Sequence, residues 1–122
     1  MFSHIDPKHY DQQLLAKQDD MSTLFKDLNL PSFEIFTSEP IHYRQRAEFR
    51  LWHDGDDLYY IMFDQKTKKR IRVDTFPVAC ELVNQLMAAL LDNIRDKKTL
   101  RERLFQVDFL ATLSGEAVIS LL

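Results

Sequence analysis

The sequence predicts an α+β domain: an antiparallel sheet of about five strands with an N-terminal and a central helix packed on one of its faces. Three observations carry that prediction. Residues 42–63 alternate polar and apolar side chains on both sides of an Asp54-Gly55 pair, the signature of a hairpin. Residues 77–94 repeat apolar side chains at helical spacing, and residues 104–122 return to alternation around Ser114-Gly115. A chain of 122 residues holds one such domain, spanning residues 1–122, and buries a real core. With 45% hydrophobic and 29% charged residues, its composition is that of an ordered globular protein rather than a disordered one.

The first helix is expected from Pro7 to Leu28. Asp6 serves as its N-cap, Pro7 takes the first helical position, and Tyr10, Leu14, Met21, Phe25 and Leu28 form one stripe. Pro31 stops it, and a short extended piece at Phe33–Phe36 leads to Pro40. A strand over Ile41–His53 follows. In it Arg44, Arg46, Glu48, Arg50 and Trp52 face one way, while Tyr43, Ala47, Phe49 and Leu51 face the core. Leu58–Phe63 is its hairpin partner, Asp64–Lys69 a second turn, and Arg70–Val73 a third strand. The exposed face of this meander would gather Arg44, Arg46, Arg50, Arg70 and Arg72, with Lys66, Lys68 and Lys69 on the connecting loop.

The central helix is expected from Pro77 to Ile94, with Val78, Leu82, Leu86, Leu90 and Ile94 as its stripe and Val83, Met87 and Leu91 widening it. Thr99 and Glu102 have capping-box spacing, which predicts a short helical turn. In the strand Leu104–Leu113, Phe105, Val107, Phe109 and Ala111 share one side, and Ala117–Leu122 pairs back through the Ser114-Gly115 turn. The apolar ending AVISLL would leave a hydrophobic strand edge, which reads as a domain cut from a longer protein and able to self-associate there.

Charge is unevenly placed. The whole chain carries −3, yet residues 40–73 hold eight Lys and Arg against five Asp and Glu, a local +3 that leaves −6 for the rest. Guanidinium forks match phosphate and carboxylate geometry, so the arginine row points either to an anionic ligand or to a solvated face neutralised by Glu48. An acidic protein partner would suit it as well as a polynucleotide.

Most catalytic constellations are excluded. The two glycines, Gly55 and Gly115, belong to turns, so no phosphate-cradling or dinucleotide loop can be built from them. The histidines His4, His9, His42 and His53 offer no helix-spaced metal pair, and the single Cys80 can form neither a thiolate zinc site nor an internal disulfide. Asp54, Asp56 and Asp57 lack the downstream glutamate of a calcium loop. Cys80 reads as a small buried residue. Trp52 could stack on a base or pack on an arginine stem, and burial preference alone puts Phe105 in the core. With no signal peptide and no apolar run long enough for a bilayer, a cytoplasmic location is expected.

The block HYRQRAEFRLWHDGDDLYYIMFDQ, then KTKKRIRVDTFP, a helix containing LVNQLM, and LRERLFQVDFL resemble, in order and spacing from Pro40 to Leu122, the N-terminal part of bacterial tRNA (uracil-5-)-methyltransferases, the TrmA family. The resemblance implies an RNA-recognition domain from an enzyme that uses S-adenosylmethionine to make 5-methyluridine in the tRNA T-loop, and in the matching loop of tmRNA. It implies that the catalytic cysteine, the base and the cofactor motif lie in a further domain, with no catalytic, cofactor-binding or metal-binding residue in this chain. It further implies that Glu48 and Arg50, within AEFR, stand near the RNA. Phe105, within LFQ, is implied to stack into the T-loop, against the burial reading; by the chemistry of the guanidinium group, the neighbouring sheet arginines, Arg44, Arg46 and Arg72 among them, would then hold phosphates and set the register.

Overall fold

The alternating stretch builds the centre of a five-stranded sheet. The structure, a computed structural model, describes residues 5–122, so His4 lies outside the described residues. Strand β1, Arg46–Asp54, buries Ala47, Phe49 and Leu51 and exposes Arg46, Glu48 and Arg50. Gly55, at φ 59°, takes the left-handed conformation that closes the hairpin onto β2, Asp57–Phe63. Strand β3, Arg70–Val73, pairs with β2 after a loop organised by Asp64, whose Oδ1 accepts bonds from the Lys66 and Thr67 amides and the Thr67 hydroxyl. Those bonds hold the Asp64 carboxyl below its ordinary pKa. Strands β4, Gln106–Ala111, and β5, Ala117–Leu121, form the second hairpin. The order is β3-β2-β1-β4-β5, antiparallel throughout.

One face is covered by the central helix, here α2, Glu81–Ile94, which buries Val83, Met87 and Ile94 and half-buries Leu82, Leu86, Leu90 and Leu91. The buried line is therefore centred on Val83 and Met87, one position over from the stripe read in the sequence. Phe49 is the aromatic hub beneath it, with ring centroids 5.5 Å from Tyr60, 5.3 Å from Phe76 and 6.2 Å from Phe109. The Tyr60 hydroxyl donates to the Met87 carbonyl at 2.9 Å, and burial raises its pKa well above the ordinary tyrosine value.

Three boundaries differ from expectation. The helix expected from Pro77 starts at Glu81 because residues 76–80 form a strap that turns at Pro77 and Val78, where the Ala79 amide donates to the Phe76 carbonyl. Asn84 bonds the strap at the Phe76 amide and at the Phe76 and Ala79 carbonyls, and residues 42–44 bond it at Pro77 and Val78. The strand expected from Ile41 starts at Arg46 for the same reason, since the Arg44 amide donates to Val78 and its carbonyl accepts from Cys80. A single helical turn, α3 (Lys98–Arg101), follows α2, with Lys97 at its N-cap and no side-chain cap, so the Thr99/Glu102 box does not form.

The N-terminal helix is also corrected. Asp6 caps a 3-10 turn at Pro7–His9 through the Lys8 amide, and α1 then runs Tyr10–Leu24, four residues short of Leu28. It was expected to pack on the sheet with the central helix, but it buries none of its residues. Instead Leu14 and Met21 meet the returning segment Phe33–Phe36 around an open cleft of about 280 Å³.

Candidate nucleic-acid interface

The sheet face opposite α2 carries the arginines. Partners across a ladder point the same way, so Arg50, Ile61 and Arg72 form one transverse row, with Gln106 on the far side of Arg50. Trp52 stands beside Tyr59, and Arg70 beside Phe63. Of the residues singled out in the sequence, Arg46, Glu48, Arg50 and Arg72 share this face. Arg44 does not join them: it lies outside the ladder, with its backbone bonded to the strap.

The four arginines of the face fall into two classes. Arg46 is paired with Glu48 at 2.5 Å, and Arg72 with Asp74 at 2.9 Å and Asp57 at 3.7 Å. The Asp74 hydrogen bond raises the Arg72 pKa further. Arg50 and Arg70 have no carboxylate within ion-pair distance among the described residues. They lie on rings instead. The Arg50 guanidinium carbon is 4.9 Å from the Phe105 centroid and 5.4 Å from Phe63, and that of Arg70 is 3.7 Å from Trp52. Arg72 also covers Tyr59, at 4.5 Å. Ring stacking uses the flat face of a guanidinium and leaves its in-plane N–H donors directed outward. Spacing separates the classes only in part: Asp74 stands two residues from Arg72 and four from Arg70, but Glu48 stands two residues from both Arg46 and Arg50, and it is the folded geometry that pairs it with Arg46.

Ile61 shows how tightly this layer is laid. It faces away from the α2 core, yet it is only 2% exposed. Its row neighbours are Arg50 and Arg72, and long charged side chains on such a face can lay their aliphatic stems over an apolar one.

Phe105 reaches this face through a bulge. Strict alternation would put it beside Val107 in the core, as read from the sequence. However, the Phe105 and Gln106 amides both donate to the Leu122 carbonyl, at 2.8 and 3.0 Å, so two residues of one strand oppose one of the other. Leu104 and Val107 are buried, and the two residues between them turn outward. Arg103, at φ 63°, sets up the reversal. His53 Nε2 meets the Leu104 carbonyl at 2.8 Å, the Leu51 amide donates to the Phe105 carbonyl at 2.9 Å, and Arg101 donates to the Asp56 and Arg95 carbonyls. Phe105 is left 55% exposed on a fixed backbone.

A shallow depression of about 210 Å³ between Glu48, Arg50, Ile61, Phe63 and Gln106 lies at the centre of the face. Cys80 is half-buried against the core, away from it. No group of three or more His, Cys, Asp or Glu among the described residues is placed to hold a metal, and no described helix is long and apolar enough to cross a membrane.

Comparison with known proteins is consistent across the chain. Residues 9–122 match the family described as tRNA (Uracil-5-)-methyltransferase. A tRNA/tmRNA (uracil-C(5))-methyltransferase of Colwellia psychrerythraea is 64% identical over 122 residues, all of this chain and 34% of that protein. Proteins of the same description from Erwinia tasmaniensis and Vibrio atlanticus are 54% and 51% identical over 94% and 97% of the chain. The chain spans about a third of the length of these relatives.

Proposed function

This chain belongs to the tRNA (uracil-5-)-methyltransferase family, and we propose that it is the single RNA-recognition domain of such an enzyme, holding the T-loop of tRNA and the matching loop of tmRNA. The observation that supports this most is Phe105: a large ring turned out of the core by a bulge and set against a guanidinium without a carboxylate partner. An enzyme that modifies a base must take it out of the stack, and an aromatic entering the vacated place offsets part of the loss, about 1–3 kcal/mol per base. Arg50 beside the ring would meet a phosphate, and Glu48 would meet a base edge or hold Arg46 in register.

The methyl donor of the reading is S-adenosylmethionine, which brings an electrophilic methyl group. The residues of this chain do not fit a site for it. Both glycines of the sequence sit in hairpin turns, at φ 59° and 93°, and the antiparallel sheet has no strand-to-helix glycine loop. Methyl transfer is therefore assigned to the remainder of the enzyme, in the cytoplasm where tRNA is modified, and this chain is assigned the RNA alone. Among the described residues β5 pairs only with β4, so the isolated chain is expected to associate through that edge, with sedimentation mass rising with concentration.

The test is affinity of the chain for a T-loop hairpin against a scrambled hairpin of equal length, across a salt series. Tighter, salt-dependent binding of the T-loop hairpin is expected. Equal affinity for the two would overturn the reading, and displacement of either RNA by an acidic polypeptide of matched charge would favour a protein partner. Methyl transfer by the chain alone would overturn the assignment of the chemistry.

A further inference from the structure

We propose that Arg70, stacked on Trp52, is a second phosphodiester-binding point for RNA, separate from the Phe105 site; this rests on the RNA reading above. Arg70 stands opposite Phe63 and Trp52 opposite Tyr59, with Ile61 between those two positions on β2. For its guanidinium carbon to lie 3.7 Å from the Trp52 ring, the Arg70 side chain must run diagonally over the Ile61 row. The burial of Ile61 agrees with that path. The stem is held by an apolar floor and the plane of the guanidinium by an indole, so little side-chain entropy is left to lose on binding.

Charge on this guanidinium is uncompensated. Arg72 next to it is neutralised by Asp57 and Asp74, but Arg70 has no carboxylate within range among the described residues. Lys66, Lys68 and Lys69, on the loop before it, have none within ion-pair distance either among the described residues; the ionised Asp64 of that loop, held below its ordinary pKa first by the Thr67 bonds and also by Lys66, leaves the loop net positive. A stack serving only to cover Ile61 would need no unpaired charge. A rigid fork with free in-plane donors in a positive field is what a phosphate oxygen pair takes. The same geometry narrows the role of Trp52, because the ring face a base would use is already occupied by Arg70. Trp52 is a positioning residue for the fork rather than a stacking platform.

The experiment is the salt dependence of binding to the T-loop hairpin for the wild-type chain and for Arg70→Gln, Arg72→Gln and Arg70→Lys. Loss of one phosphate contact lowers the log–log slope by about 0.7 for a single strand or about 0.9 for a duplex. Arg70→Gln is expected to lower the slope by that amount and to weaken T-loop and scrambled hairpins by the same factor. Arg72→Gln is expected to leave the slope unchanged. Arg70→Lys keeps the charge and stem, so it covers the case in which Arg70→Gln does not fold, and it should bind more weakly at every salt with the slope retained. Trp52 is the only tryptophan, so its fluorescence should change along the wild-type titration. An unchanged slope in Arg70→Gln, equal slope losses in Arg70→Gln and Arg72→Gln, or wild-type affinity in Arg70→Lys would each overturn the proposal while the RNA reading stands. Absence of salt-dependent RNA binding by the wild-type chain would overturn both, and RNA displaced by polyglutamate from wild type but not from Arg70→Gln would overturn this one in favour of an acidic protein.

Discussion

Replacing Phe105 by alanine separates the two roles its ring could have, because the structure gives them different magnitudes. The ring is 55% exposed and touches Arg50 across 4.9 Å. Full burial of a phenylalanine is worth about 1.5–3 kcal/mol, so its covered part contributes about 1 kcal/mol. An exposed cation–π contact adds about 0.5–1 kcal/mol. Phe105→Ala should therefore lower unfolding stability by about 1–2 kcal/mol, against about 3–5 kcal/mol for Phe49→Ala, which is 2% exposed and touches three other rings. In RNA binding, loss of one stacked base costs about 1–3 kcal/mol, which is about 5- to 150-fold in affinity. Urea unfolding followed by circular dichroism measures the first quantity, and fluorescence anisotropy with T-loop and scrambled hairpins measures the second. The reasoning fails if Phe105→Ala destabilises the chain as much as Phe49→Ala does. It also fails if the preference for the T-loop hairpin survives the substitution.

Two further predictions concern the scaffold. Tyr60→Phe removes one buried hydrogen bond to a helix carbonyl, and stability should fall by about 0.5–1.5 kcal/mol with the sheet intact; no change in the urea midpoint would mean that the bond contributes nothing net. The Asp57 carboxyl is held below its usual value of 3.8, first by the Leu58 amide and then by Arg95. A depressed folded-state pKa contributes stability that is present above about pH 4 and lost as pH falls below it. Asp57→Asn should therefore flatten the stability–pH curve below pH 4, and curves of equal steepness for the two proteins would refute that linkage.

The sheet was legible where its causes are local. The Asp54-Gly55 turn, the alternation in β1 and the Arg70–Val73 strand follow from residue types two or three positions apart, and they stand where the sequence puts them. Features set by distant partners were not legible. Pro77 is as acceptable at a helix start as in a strap, and what decides is Asn84 together with residues 42–44, which bond the backbone of 76–80. The stripe on α1 has helical spacing, but nothing in spacing says which surface will meet it, and among the described residues it is the returning segment, Phe33–Phe36 beside Leu14 and Met21 and Ser38 at Tyr10. Phe105 is the plainest case. One carbonyl, Leu122, seventeen residues away, accepts two amides and moves the ring from core to surface. Arg46 reads like Arg50, since Glu48 stands between them on one face, and only the folded geometry gives that acid to Arg46.

That sorting of arginines sets how strongly salt can act on RNA binding. The meander and its loop carry Arg46, Arg50, Arg70, Arg72, Lys66, Lys68 and Lys69, and two of the seven, Arg46 and Arg72, are already neutralised by carboxylates. Breaking those pairs to reach a phosphate would leave Glu48 and Asp74 facing a polyanion, with Asp57 still held by Arg95, which repays little of the contact. The remaining five cations, each displacing about 0.7–0.9 counterions, let the meander contribute about 3.5–4.5 to the log–log slope. On the proposed RNA reading, a chain with a net charge of −3 would gain its selectivity from the shape of the loop around Phe105 rather than from bulk attraction. A slope that falls by about 0.7–0.9 in Arg46→Gln or in Arg72→Gln would show that these arginines leave their acids when RNA arrives, and the division between committed and free guanidinium groups would fall with it.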